Sequence, residues 1–128
     1  MSNQRVSTDQ APPPRGFYSQ GVRNGNLVFI AGQLPLDATG ALVGSTVTEQ
    51  ATQTLRNVRA ILEAAGGRLD HLTQVTVYIT DLAHWPEFNA AYEQFLKGVA
   101  VPPARAVVPV SGLNKGALVE IQAIACLD

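Results

Sequence analysis

Two charged residues stand in apolar, strand-like runs towards the end of the chain. Arg105 lies in Pro102-Pro103-Ala104-Arg105-Ala106-Val107-Val108-Pro109-Val110, and Glu120 in Leu118-Val119-Glu120-Ile121-Gln122-Ala123-Ile124-Ala125. In the second run Val119, Ile121, Ala123 and Ala125 share one face, with Leu118, Glu120, Gln122 and Ile124 on the other. In the first, two prolines stiffen the approach to Arg105, which shares a face with Val107. A guanidinium held at a strand start is suited to clamping a carboxylate, because its planar fork donates two parallel hydrogen bonds. Glu120 is the odd residue in a strand otherwise poor in charge. Two readings follow: a structural ion pair between Arg105 and Glu120, or a functional pair facing a ligand. The connection from Ser111 to Gly116 can bring the two charges side by side.

The elements that would position them follow from the pattern. Residues 1–16 are polar, then proline-rich, and read as a loop after at most one short strand. Strands are expected at Phe17–Val22 and Leu27–Ala31, joined through Asn24-Gly25, which brings Tyr18 and Gly32 to one end. Gly32 is either a plain turn glycine or a place of close backbone approach. Thr46 and Glu49 have capping-box spacing before a helical stripe of Val47, Ala51, Leu55, Val58, Leu62 and Ala65, stopped by Gly66-Gly67. Arg56 and Arg59 fall off that stripe, on the solvated face. Val75–Thr80 is a β-prone run expected inside the sheet. A second helix starts at Trp85-Pro86 and runs to Leu96, with Phe88, Tyr92 and Phe95 as a core stripe. Trp85 and Asn89 flank its entry, where a site can open. His71 and His84 stand alone without an acidic orienter in sequence and read as surface or capping residues.

The totals narrow the function classes. At 128 residues the chain is expected to be one domain, residues 1–128. Only 15% of residues are charged and 46% are hydrophobic, so part of the surface is expected to be covered by another subunit. With a net charge of −1 and scattered basic residues, capture of nucleic acid is poorly supported. Cys126 is the single cysteine, so neither an internal disulfide nor a metal motif is expected, and its expected role is packing. No apolar leader or membrane-spanning run is evident, and a cytoplasmic protein is expected. The order strand, strand, helix, strand, helix, strand, strand predicts an α+β fold: a single mixed β-sheet with two helices packed on one face. A second copy would most simply cover the other face.

Several stretches together resemble the Rid family, the YjgF-type reactive-intermediate imine deaminases. They are Tyr18-Ser19-Gln20, Ala31-Gly32-Gln33-Leu34-Pro35-Leu36-Asp37, Glu49-Gln50, Asn57, Leu62-Glu63-Ala64-Ala65-Gly66, Val77-Tyr78-Ile79-Thr80-Asp81, Asn89, Tyr92, Pro102-Pro103-Ala104-Arg105 and Lys115-Gly116-Ala117-Leu118-Val119-Glu120-Ile121. The resemblance implies a chorismate-mutase-like fold assembled as a homotrimer, its sheets forming an internal barrel with three clefts between subunits. It implies that Arg105 binds a substrate carboxylate, Glu120 holds or activates water, and Gly32 offers backbone. Tyr18, Trp85 and Asn89 would line the cleft, partly from the neighbouring subunit. Ala31 stands where serine is frequent, and Val107 where cysteine, threonine or serine is frequent, so the substrate preference can differ. The implied activity is hydrolysis of 2-aminoacrylate and 2-imino acids to 2-oxo acids and ammonia, without metal, flavin or pyridoxal. The alternatives are a deaminase of a larger enamine acid, such as 2-aminomuconate, and a non-catalytic binding module or ribonuclease-like translation inhibitor.

Overall fold

The computed structural model describes residues 2–128. Its strands are β1 (Gln4–Val6), β2 (Gly21–Asn24), β3 (Leu27–Gln33), β4 (Leu72–Ile79), β5 (Ala104–Pro109) and β6 (Val119–Cys126); its two α-helices are α1 (Val47–Ala64) and α2 (Trp85–Phe95). They form one sheet in the order β1-β2-β3-β6-β4-β5, antiparallel except for the β4–β5 pair. A parallel neighbour requires a crossover, and α2 supplies it between β4 and β5. Likewise β3 and β4 both run antiparallel to the intervening β6, and α1 makes their connection. The expected mixed sheet with two helices on one face is therefore present. The run expected inside the sheet is β4, between β6 and β5.

Alternation divides the strands cleanly. Val28, Ile30, Val75, Val77, Ile79, Val119, Ile121, Ala123 and Ala125 are buried with Leu55, Val58, Ile61, Leu62 and Phe88 of the helices. The opposite face carries no helix and leaves Leu27, Phe29 and Val108 exposed. All six residues of the expected α1 stripe are buried. The capping box is complete: Thr46 Oγ1 accepts from Glu49 N at 3.1 Å, while Glu49 Oε1 accepts from Thr46 N at 3.2 Å. Bonds from the Ser45 and Thr46 N–H groups hold the Glu49 carboxyl below its usual range. Gly66, at φ 92°, supplies the left-handed exit.

Two expectations about the first hairpin change. Its strand begins at Gly21, so Phe17, Tyr18 and Ser19 lie in a loop. The cause is Gln20, whose buried amide turns back to the preceding segment, donating to Thr8 O at 3.1 Å and Pro12 O at 2.9 Å and accepting from Thr8 N at 2.8 Å. The turn itself is Gly25-Asn26, because Asn24 pairs with Leu27 and the left-handed residue is Gly25 at φ 61°.

Buried amides fix the other loops as well. Asn57, 1% exposed, donates to Leu34 O at 3.1 Å and Leu36 O at 2.8 Å, and accepts from Gln53 Nε2 at 3.0 Å. Gln50 accepts from Leu118 N at 2.8 Å, where the chain enters β6. Removing Asn57 would take one hydrogen bond each from Leu34 O, Leu36 O and the Gln53 amide, which keep only the Leu36 N–Leu34 O and Gln53 Nε2–Leu36 O bonds. Asn57→Ala is expected to cost about 1–3 kcal/mol, read as a lower urea midpoint with an unchanged m value.

Candidate active site

The end of β3 is irregular, and the irregularity builds one half of the candidate site. Ile30 pairs with Ala123 but Gln33 with Ile121, so the three steps from Ile30 to Gln33 on β3 match two on β6. Ile30 and Gln33 are both buried, and the extra residue leaves Ala31 half-buried and Gly32 exposed between them. Glu120 lies against Gly32: a Cβ on Gly32 would stand 2.5 Å from Glu120 Oε2. The glycine thus lets the carboxylate lie against the bulge; its role there is space, since its φ is not left-handed. Partial burial raises the proton affinity of the Glu120 carboxyl above the ordinary glutamate range. Tyr18 and Gly32 line the same cleft, of about 270 Å³, with Pro12, Arg15, Gln33 and Lys115 around them. The backbone N–H of Arg15 donates to the Tyr18 hydroxyl at 3.3 Å. At the rim Lys115 holds a left-handed φ of 60° and donates from Nζ to Gly40 O at 2.7 Å.

The other half is built by β5 and α2. Arg105 and Val107 pair with Val75 and Val77, so both lie on the helix-bearing face at the β5 edge. The Arg105 guanidinium sits over the Tyr92 ring, its carbon 4.8 Å from the ring centroid, and 6.0 Å from that of Phe88. Asn89 follows Phe88 on α2, and Trp85 opens the helix one turn earlier, exposed. The buried Asn89 Oδ1, Tyr92 hydroxyl and His84 Nδ1 have no protein partner among the described residues. Burial, offset in part by the Arg105 charge, raises the Tyr92 hydroxyl above its usual value.

These halves do not meet within one chain. Glu120 pairs with Tyr78 and Arg105 with Val75; Tyr78 and Val75 are three residues apart on β4, so the two charges project from opposite faces. The structural ion pair considered from the sequence is accordingly absent, and Ser111–Gly116 does not bring the charges side by side. No carboxylate pairs with Arg105 among the described residues. Tyr18, Ala31, Gly32 and Glu120 form one set, and Trp85, Asn89, Arg105 and Val107 the other.

Other expectations are revised by local contacts. His71 does have an acidic neighbour, Asp128, whose Oδ2 is 3.2 Å from Nε2, and its Nδ1 accepts from Arg68 N at 3.0 Å. It is a buried capping histidine, whose hydrogen bond lowers the Asp128 carboxyl from its usual range. His84 occupies the cap position of α2 without a side-chain capping bond. Cys126 is exposed rather than packed, because its face carries no helix. Arg59, expected to be merely solvated, stacks 4.9 Å from the Phe95 centroid. No cluster of His, Cys, Asp and Glu among the described residues could hold a metal ion. Among the described residues no helix is long and apolar enough to cross a membrane.

The sequence profile of the family described as Endoribonuclease L-PSP matches residues 8–127. The chain is 41% identical, over 94% of each sequence, to the 2-iminobutanoate/2-iminopropanoate deaminase of Salmonella typhimurium. Its fold is similar to that of the YjgF gene product of E. coli, with a TM-score of 0.92 and 40% identity over 96% of this chain and 98% of that one. It is equally similar to E. coli TdcF with bound serine, with a TM-score of 0.93 and 38% identity over 98% and 99% of the two chains.

Gly32→Ala tests the contact between the bulge and the carboxylate. The variant is expected to fold, because the backbone there is not left-handed, but to push Glu120 off the bulge. Carbon-detected NMR titration should then find the Glu120 pKa moved down towards the ordinary glutamate range; an unmoved value would show that the contact does not set it.

Proposed function

The chain belongs to the Endoribonuclease L-PSP family, also called Rid, YjgF or RutC, and from that premise we propose that it is a cofactor-independent deaminase of 2-imino acids and their enamine tautomers. The observation that carries this reading is the Glu120 carboxylate, partly desolvated and set against the bare backbone of Gly32, which lines an adjoining cleft. Arg105, unpaired by any protein carboxylate, supports it as a clamp for an acid. The deaminase relative and the serine-bound TdcF are consistent with a small carboxylate-bearing substrate.

The half-sites must be united for this chemistry. We infer that a homotrimer does so, the helix-free face of one subunit lying near the β5–α2 edge of the next. Arg105 would then hold the substrate carboxylate from one side, with Asn89, Trp85 and Val107 around the remainder of the molecule. Glu120, with Tyr18, Ala31 and Gly32, would face the imine carbon from the other.

The reaction begins with tautomerisation of the enamine to the 2-imino acid. Glu120 accepts a proton from water as its oxygen bonds to the C=N carbon, which yields a carbinolamine. That proton passes to the amine nitrogen, the C–N bond breaks as the carbonyl forms, and the hydroxyl proton returns to Glu120 and passes on to the departing ammonia, which restores the carboxylate. A protonated imine is already a strong electrophile, so orientation and electrostatics do most of the work.

A raised carboxyl pKa has two consequences of definite sign. As a general base Glu120 must be ionised, so kcat/KM should fall as pH drops through a value above that of an exposed glutamate. For stability, a folded pKa above the unfolded one favours folding at low pH, and that contribution is lost as pH rises through the folded value. Glu120→Gln is therefore expected to lower turnover of 2-iminopropanoate about 10²–10⁴-fold, while leaving stability at neutral pH unchanged or slightly increased. Arg105→Ala is expected to lower kcat/KM at least about 10²-fold, with the oligomer mass unchanged. Retained turnover in Arg105→Ala would sink the clamp, and unchanged turnover in Glu120→Gln the base.

The family description raises a second reading, cleavage of RNA. A net charge of −1 weighs against phosphate capture. If RNA binds at all, its affinity is expected to be low and nearly independent of salt; affinity falling steeply with added salt would favour the second reading.

A further inference from the structure

We propose that Tyr92 is a positioning residue for Arg105: its ring is the platform that sets the direction of the guanidinium fork. The proposal rests on the deaminase reading for its functional consequence and on geometry for its structural one. Arginine is long and rotamer-rich, and at the exposed β5 edge no carboxylate restrains this one. What lies beneath it is aromatic, with the guanidinium carbon 4.8 Å from the Tyr92 centroid and 6.0 Å from that of Phe88. A cation over a ring face is attracted by the ring quadrupole, and a planar guanidinium stacked there keeps its N–H edge free for a carboxylate.

The platform is itself rigid. Phe88 is 0% exposed and Tyr92 9% exposed, and their centroids are 5.6 Å apart with the planes inclined by 31°. They are spaced four residues apart on α2, which places both on one face of the helix. Core packing fixes Phe88, Phe88 supports Tyr92, and Tyr92 orients Arg105. The buried Tyr92 hydroxyl has no protein partner among the described residues, so it is the ring, not the hydroxyl, to which the geometry assigns the role.

The test uses the intact protein with Tyr92→Phe, which keeps the ring, and Tyr92→Met, which removes it while retaining apolar bulk. Ring-current displacement of the Arg105 side-chain proton resonances in NMR reports the stacking directly, whether or not the protein turns anything over. It is expected in the wild type and in Tyr92→Phe, and lost in Tyr92→Met. The dissociation constant for pyruvate, as the carboxylate probe, and KM for 2-iminopropanoate should each rise about two- to thirty-fold in Tyr92→Met, as expected for loss of one cation–π contact, and stay at wild-type values in Tyr92→Phe. Undisplaced Arg105 resonances in the folded wild type would overturn the proposal even if Tyr92→Met did not fold. Equal losses in both variants would overturn it too, by pointing to the hydroxyl. A stacked Arg105 in a protein that hydrolyses no imine would leave the platform standing and remove the deaminase reading instead.

Discussion

The two-residue period of a β-strand governs how this protein can work. Opposed residues on neighbouring strands share a face, and β4 lies between the strands that carry the two charges. Its partners fix Arg105 to the face of Val75 and Glu120 to the face of Tyr78, which is the other one. No side-chain rotation can carry either charge through a hydrogen-bonded sheet. A slip of one residue between β4 and β5 would put both charges on one face, but it would also turn Val107 away from the core against which it packs. The same burial that stabilises the sheet thus divides the candidate site.

What surrounds each half is held by neutral polar side chains more than by charge. Gln20 gathers the proline-rich segment that carries Tyr18. Asn57 anchors Leu34 and Leu36 just after the bulge, and Gln50 fixes the entry to β6. Each of these side chains is almost fully buried, and each hydrogen-bonds loop backbone next to the core. An amide side chain suits this task because it both donates and accepts without a charge to desolvate. The ion pairs, by contrast, gather around Arg68, Asp70, His71 and Asp128, away from either set of candidate residues in the sequence.

Much of this was legible in the sequence, and the parts that were not share a cause. The helical stripe of α1, its capping box and the aromatic spacing of α2 are local signals, and each appears in the structure where the pattern puts it. The sheet alternation around Glu120 is likewise local. Relations between distant segments were hidden. Tyr18 lies in a loop because Gln20 bonds backward across 12 residues to Thr8, and propensity alone does not register such a bond. His71 has an acidic neighbour 57 positions away at Asp128. The relation of Arg105 to Glu120 depends on strand order, which placed β6 between β3 and β4, and their run of adjacent segments concealed that. Tyr92 was readable as core, and it is core, but a ring has two faces and the sequence does not say what lies on the second.

The uncovered sheet face would link the proposed assembly to the proposed chemistry. Leu27, Phe29 and Val108 are exposed there, and Glu120 stands on the same face beside Gly32. In the single chain the carboxylate is only partly buried, and burial alone already raises its proton affinity. A second copy laid over this face would remove more water from Glu120 and raise that affinity further, unless it also brought a cation close. In the proposed arrangement the approaching cation is Arg105, but a bound substrate carboxylate would neutralise it. Glu120 would then be a stronger base with substrate in place than in the empty cleft, where an unpaired guanidinium lowers its proton affinity. On the proposed deaminase reading, division of the two charges between faces would have a chemical advantage over a pre-formed ion pair: neither charge satisfies the other within the chain, and the proposed clamp and base would remain available to the ligand that separates them.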